Sequence, residues 1–455
     1  VVMDNRQPAK TMAWALVIWF VPVAGIILYL FFGVNTRKER LVGRRSLDEL
    51  SRRSMLGFAE QQGLQLPTEH QPLIGLFINQ SSSLPFRADD IEVYTDGYQF
   101  FPALLASIAS ARDHIHINMY IIEDDPLGRL VADALIAKAR QGVEVRVVYD
   151  DVGCWRVPHR FFEQLREEGI EVAPFLPVRF PSFTSKVNYR NHRKLVVIDG
   201  SVGFIGGMNI ALRYVKGTKT QPWRDTMVRV SGTAVYSLQR AFLIDWYFVD
   251  RTLLSDRKYY PPALTAQPSA HGSLLLQTVT SNPDSPQPEI MQGFVRIIME
   301  ARSYIYIETP YFLPTEPVLF ALKTAAAAGV DVRILVPQEN DAWFAEWAGR
   351  SYLREMVEAG VGVELYTAGF LHSKLLVSDD SIATCGSTNF DFRSFENNFE
   401  ANIFFYGRSS ALKARELFLI DAAQSVALST MSGRMKPRFT VRLFESVVRL
   451  LAPLM

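Results

Sequence analysis

His192-Arg-Lys194-Leu-Val-Val-Ile-Asp199-Gly-Ser-Val-Gly-Phe-Ile-Gly206-Gly207-Met-Asn209 returns later in the chain as His372-Ser-Lys374-Leu-Leu-Val-Ser-Asp379-Asp-Ser-Ile-Ala-Thr-Cys-Gly386-Ser387-Thr-Asn389. Both stretches fit H-x-K-x4-D-x6-G-[GS]-x-N without a gap. With each specified position at roughly one in twenty, a single chance match is on the order of one in ten million per start site. Two in one chain mark a duplicated unit.

The spacing reads physically. Lys194-Leu-Val-Val-Ile198 is strand-like, Asp199-Gly200 is a hairpin-turn dipeptide, and Val202 to Ile205 forms the returning strand. A period of two puts His192 and Lys194 on one strand face. Gly206-Gly207 and Gly386-Ser387 lack bulk where a ligand approaches the backbone, and Asn209 or Asn389 follows. Imidazole, ammonium and amide beside bare backbone suit a phosphate. Alone, each residue would be a packed histidine, a solvated lysine or a plain turn.

The doubling extends outward. Ala111-Arg-Asp-His-Ile-His-Ile117 matches Ala301-Arg-Ser-Tyr-Ile-Tyr-Ile307, and Gly142-Val-Glu-Val-Arg146 matches Gly329-Val-Asp-Val-Arg333. Within each half, strand-like runs such as Val143 to Tyr149 alternate with helical patterns such as Leu127 to Arg140, which predicts an α/β layered domain. The organisation expected is an N-terminal membrane anchor over 1–45, a linker over 46–90, a first domain over 91–250, a proline-rich connection over 251–287, a second domain over 288–430 and an amphipathic segment over 431–455.

These motifs resemble those of the phospholipase D (HKD) superfamily. Trp223-Arg-Asp-Thr226, Thr309-Pro-Tyr-Phe312, Asn389-Phe-Asp-Phe-Arg-Ser394 and Asn398-Phe-Glu400, with the apolar N-terminus, are most similar to the bacterial cardiolipin synthases. The resemblance implies two tandem phospholipase D-like α/β repeats sharing one site. It implies phosphatidyl transfer between two phosphatidylglycerol molecules, giving cardiolipin and glycerol through a phosphatidyl-histidine. His192, Lys194, Asp199, His372, Lys374 and Asp379 are the implied catalytic set; His192 is taken as nucleophile and His372 as acid and base, with the reverse assignment left open by the pseudo-symmetry of the repeats. Gly207, Asn209, Ser387 and Asn389 are expected at the phosphate. Asp225 and Glu400 are expected each to orient the histidine of its own half. Asp199 and Asp379, at turns, are expected to brace the motif rather than touch phosphate. No cofactor or metal is implied, because lysines supply the positive charge. A phospholipase D-type hydrolase, a transphosphatidylase using phosphatidylethanolamine and a catalytically silent lipid-binding scaffold are the alternatives.

Composition narrows these. A net charge of +1 lacks the broad basic field of a nucleic-acid binder. Cys154 and Cys385 are the only cysteines, too few for a disulfide framework or a zinc site. Residues 11–36 hold no charged side chain, long enough for a membrane helix over about 12–33 despite Pro22 and Gly25, with Trp14 and Trp19 suited to an interface. Arg37, Lys38, Arg40, Arg44 and Arg45 follow it, whereas only Arg6 and Lys10 precede it. The positive-inside bias therefore places the catalytic domains on the cytoplasmic side of a bacterial inner membrane. The resembled synthases commonly carry two such helices and one is read here, so a further helix upstream of Val1 is left open. Partners expected are phosphatidylglycerol and cardiolipin in an anionic membrane and no nucleic acid; the oligomeric state is left open, a homodimer included.

Two segments suggest lipid contact. The first half holds an insertion around Phe175 to Arg190, with exposed-looking Phe180, Phe183 and Tyr189 beside Arg179, Lys186 and Arg190, read as a lid or lipid-facing loop or else as an ordinary packed loop. The end of the chain sets Phe439, Leu443, Phe444, Val447, Val448 and Leu451 against Arg438, Arg442 and Arg449, a basic amphipathic pattern suited to a membrane surface or to packing on the protein.

Overall fold

The computed structural model describes residues 8–29, 66–178, 188–218, 221–262, 274–450 and 452. The first module is built on a seven-stranded sheet in the order Ile91–Tyr94, Met227–Ser231, Val202–Gly206, Lys194–Ile198, His114–Met119, Glu144–Asp150, Glu171–Phe175. The last three strands run parallel, and the motif strands Lys194–Ile198 and Val202–Gly206 form an antiparallel hairpin beside them. Aspartates start two of the helices that connect them. Asp96 caps Gly97–Ser110 at the Gln99 N–H, and Asp125 caps Pro126–Ala139 at the Leu127 and Gly128 N–H groups.

The second module repeats the plan. Leu274–Ser281, Asn398–Tyr406, Ile382–Gly386, Leu375–Ser378, Tyr304–Glu308, Asp331–Pro337 and Gly362–Tyr366 follow one another, with Pro85–Ala88 and Ser425–Ala427 at the two edges. The two sheets face each other. Leu195, Val197, Ile205 and Val228 of the first form one apolar core with Leu375, Val377, Ala383 and Ile403 of the second. Strands covered on both faces read as continuous apolar runs, which is why the motif strands carry so little polar alternation.

Asp199 and Asp379 hold each repeat together. Both adopt left-handed backbone, at φ 50° and 52°. The Asp199 carboxylate accepts from the backbone N–H groups of Arg112, Asp113 and His114 at 2.8–3.0 Å, and Asp379 does the same for Arg302, Ser303 and Tyr304 at 2.7–2.9 Å. Each ties the motif hairpin to the start of the neighbouring strand. At both turns the carboxylate serves the scaffold through these backbone contacts.

Three expected boundaries change. Residues 68–88 are not linker: the helix Gln71–Ser81 buries Leu73, Ile74 and Phe77 in the core of the second module, and Pro85–Ala88 pairs antiparallel with Leu274–Ser281. The proline-rich connection is shorter than expected, because its end is the strand Leu274–Ser281. At the N-terminus, Pro22 divides the apolar stretch into helices Pro8–Phe20 and Pro22–Leu28, and no helix among the described residues is long and apolar enough to cross a membrane. The 46–65 segment and residues 179–187 of the lid lie outside the described residues. Tyr189 and Arg190, read as part of that insertion, are buried, Arg190 facing Asp150 at 3.4 Å.

The C-terminal helix Phe439–Leu450 packs on Trp343–Glu358 through a buried Arg354–Glu445 ion pair, and Arg449 meets Glu355 at 2.7 Å. Its Phe439, Leu443, Val447 and Leu450 remain exposed. Packing and an outward apolar face coexist in one helix.

Candidate active site

The site begins with an exchange of backbone between modules. Just before His192, Arg190–Asn191 runs parallel to Asn398–Phe399 of the second module, and the His192 N–H donates to the Phe399 carbonyl at 2.9 Å. Just before His372, Phe370–Leu371 runs parallel to Trp223–Arg224 of the first, and the His372 N–H donates to the Arg224 carbonyl at 2.7 Å. The residue after each of those foreign carbonyls is a carboxylate.

It follows that the orienting carboxylates are crossed, which corrects the expectation that each serves its own half. His192 Nδ1 lies 3.0 Å from Glu400 Oε1, and His372 Nδ1 lies 2.6 Å from Asp225 Oδ2. Both carboxylates are fully buried. A carboxylate at Nδ1 holds the proton there and leaves Nε2 as the free ring nitrogen.

Each lysine reaches back to the histidine of its own motif. Lys194 Nζ donates to the His192 carbonyl at 2.6 Å and sits 5.1 Å from the centre of the Tyr120 ring. Lys374 Nζ donates to the His372 carbonyl and lies 2.8 Å from His372 Nδ1. Burial pushes both imidazoles down to about 4; Glu400 and Asp225 pull them up while Lys194 and Lys374 press them down. Burial likewise lowers both ammonium groups, against the pull of the two carboxylates. Burial alone would raise Asp225 and Glu400, but Lys374 with His372 and His192 with Lys194 hold them below the usual carboxylate range. Lys374 also acts on His192 and on Lys194, so the two half-sites share one electrostatic environment.

The four residues expected at the phosphate have other partners. Asn209 accepts from the Ile121 N–H at 3.0 Å and donates to the Tyr214 hydroxyl at 2.6 Å, so both ends of its amide are used. The Asn389 amide donates to Asp391 at 3.1 Å. Ser387 Oγ donates to Glu400, and a Cβ on Gly207 would come within 2.0 Å of Asp225 Oδ1. Gly207 and Ser387 therefore shape the seats of the carboxylates. Their matching positions in the two motifs reflect matching jobs.

Several contributors escaped the sequence reading. Tyr120 stands 4.9 Å from the His192 ring and Tyr311 stands 6.3 Å from the His372 ring. Arg224, half-buried, donates to the Asp225 carbonyl and the Thr226 hydroxyl at 2.9 Å each, while its other nitrogen meets Asp421 at 2.7 Å and Glu308 at 4.0 Å. Burial pushes the Glu308 carboxyl up to about 7, against the pull of Arg224. Only the adjacency of Arg224 to Asp225 hinted at this.

A family profile described as "Cardiolipin synthase, PLD-like domain" matches residues 104–246 and 294–421, and one described as "Phospholipase_D-nuclease N-terminal" matches residues 1–33. Cardiolipin synthase of Geobacillus sp. (strain WCH70) is 39% identical over 100% of this chain and 90% of its own length. The chain belongs to the cardiolipin synthase family. The major cardiolipin synthase ClsA of Bacillus subtilis (strain 168) is 37% identical over 99% of this chain and 95% of its own length. Among solved structures, phosphatidylserine synthase from Haemophilus influenzae Rd KW20 superposes with a TM-score of 0.63, covering 85% of this chain and 100% of that one at 16% identity, a likeness of fold. As a cardiolipin synthase of phospholipase D type, the protein is a phosphatidyltransferase acting on phospholipids.

Proposed function

We propose that the protein moves a phosphatidyl group from one phosphatidylglycerol to the glycerol hydroxyl of a second, at the cytoplasmic face of a bacterial inner membrane. The observation that carries this reading is the pair of crossed histidine–carboxylate contacts, which gives two imidazoles with free Nε2 atoms in one buried environment. In the first step His192 Nε2 attacks phosphorus and the bond to the departing glycerol oxygen breaks. His372, protonated, gives that oxygen its proton. In the second step the hydroxyl of the other phosphatidylglycerol attacks phosphorus, His372 takes its proton, and the phosphorus–nitrogen bond breaks. Cardiolipin and glycerol are the products, and both histidines return to their starting states.

Charge balance favours this sequence. With Lys194 and Lys374 charged, Asp225 and Glu400 ionised and both imidazoles neutral, the six groups sum to zero. A bound phosphodiester adds one negative charge, which raises the imidazoles and favours the proton that His372 needs. The lysines oppose the charge growing on the phosphoryl oxygens; loss of one such donor typically costs about 3–4 kcal/mol in barrier height.

Pure phosphatidylglycerol vesicles supply the test. Cardiolipin with an equal amount of glycerol is the expected product, and phosphatidate in its place would indicate hydrolysis. Acid quenching during turnover is expected to leave phosphate on His192; label on His372 would reverse the two roles.

A further inference from the structure

Two tryptophans follow corresponding strands at nearly the same distance, Trp155 five residues after Asp150 and Trp343 six after Pro337. Trp155 follows Glu144–Asp150 and Trp343 follows Asp331–Pro337, strands whose starts match between the repeats. They are 75% and 63% exposed. Tryptophan is highly buried on average, so an outward ring just past the matching strand of each half asks for a partner.

Each is linked through a tyrosine to one histidine. On the first side, Gly153 and Cys154 press on Tyr120: Cys154 Sγ lies 3.7 Å from the Tyr120 carbonyl, a Cβ on Gly153 would clash with that carbonyl, and the Tyr120 ring faces His192. On the second side, Asp341 accepts from the Tyr311 hydroxyl at 2.8 Å, Asn340 donates to the Pro310 carbonyl at 2.9 Å, and the Tyr311 ring faces His372. Both tyrosines are half-buried and both tryptophans project from the surface beyond them. Each exposed ring therefore lies within two residues of a contact to the tyrosine beside one histidine, one per module.

We propose that Trp155 and Trp343 are a pair of bilayer anchors, one per module, that seat the side of the protein bearing Tyr120 and Tyr311 on an anionic membrane. The inference rests on the phosphatidyl-transfer reading for its substrate. Indole rings favour the level of lipid headgroups, where the apolar body is buried and the N–H stays wet. Exposed Arg156 and Arg160 follow Trp155, cations suited to anionic headgroups at the same depth. On the other side the apolar surface continues from Trp343 to Trp347, whose ring meets the partly exposed Phe444 at 5.2 Å. Seated this way, a lipid phosphate at headgroup depth reaches the histidines while its chains stay in the bilayer.

The test compares wild type with W155F/W343F and W155S/W343S. On vesicles of dibrominated phosphatidylglycerol, the quenched share of tryptophan emission is expected to fall in W155F/W343F; an unchanged share overturns the proposal whether or not the protein turns lipid over. In activity assays, W155S/W343S is expected to lose about tenfold or more on phosphatidylglycerol vesicles and less than about twofold on monomeric short-chain phosphatidylglycerol. Equal losses on both substrates overturn it. Wild-type quenching without any phosphatidyl transfer would instead sink the activity reading and leave the seating intact.

Discussion

At the scale of single residues, crossing the carboxylates decides which step each one serves. Glu400 orients His192, so Glu400→Gln should slow formation of the phosphohistidine; Asp225 orients His372, so Asp225→Asn should slow proton delivery to the leaving glycerol. Losses of about 10³–10⁴ in kcat are expected by analogy with an amide placed behind a catalytic imidazole. Rapid quenching with labelled lipid checks the assignment, and with an activated leaving group that needs no proton, intermediate formation should recover in Asp225→Asn alone. Titration gives a second expectation. Burial holds His192 and His372 down to about 4 when folded, against about 6.5 when unfolded. The unfolded chain then binds protons first, so the stability contributed by the neutral rings is full above pH ~6.5 and is lost as pH falls toward about 4. Replacing both histidines with asparagine should flatten that part of a pH–denaturation series. The sequence located both histidines and both carboxylates but not their pairing, because similarity between repeats says nothing about which copy a side chain crosses to meet.

Secondary-structure elements carry their own tests. Asp199→Ala frees three backbone N–H groups at a junction between strands, and a loss of about 2–4 kcal/mol in denaturant unfolding is expected, with turnover of the folded fraction far less affected than in His192→Ala. Gly207→Ala should do the reverse, keeping the fold and losing activity, because its new methyl meets the Asp225 carboxylate. Arg224→Ala leaves Glu308 and Asp421 buried without their shared cation, so a stability loss of about 3–5 kcal/mol should accompany the loss of activity. The motif hairpins were readable because apolar runs ending in Asp-Gly or Asp-Asp leave few alternatives. The lead-in strands Arg190–Asn191 and Phe370–Leu371 were not, since two residues carry no periodicity. The seats of Asn209 and Ser387 depend on partners far along the chain and leave no local mark.

For the molecule as a whole, the duplication was plain in the sequence, while the path joining its halves was not. Gln71–Ser81 and Pro85–Ala88 precede the first module in the chain yet pack on the second, because their apolar residues find cover only there. A chain beginning at residue 91 should therefore lose stability in its second module, seen as faster amide exchange in Leu274–Ser281 than in Lys194–Ile198. Separately expressed halves should be inactive and regain turnover when mixed, if they refold together, since each lacks the carboxylate for its own histidine. That exchange also constrains descent. A solitary ancestral unit would have held an imidazole with nothing behind it, so the gene that doubled must already have encoded a protein working in twos, and fusion made permanent a partnership that once depended on encounter.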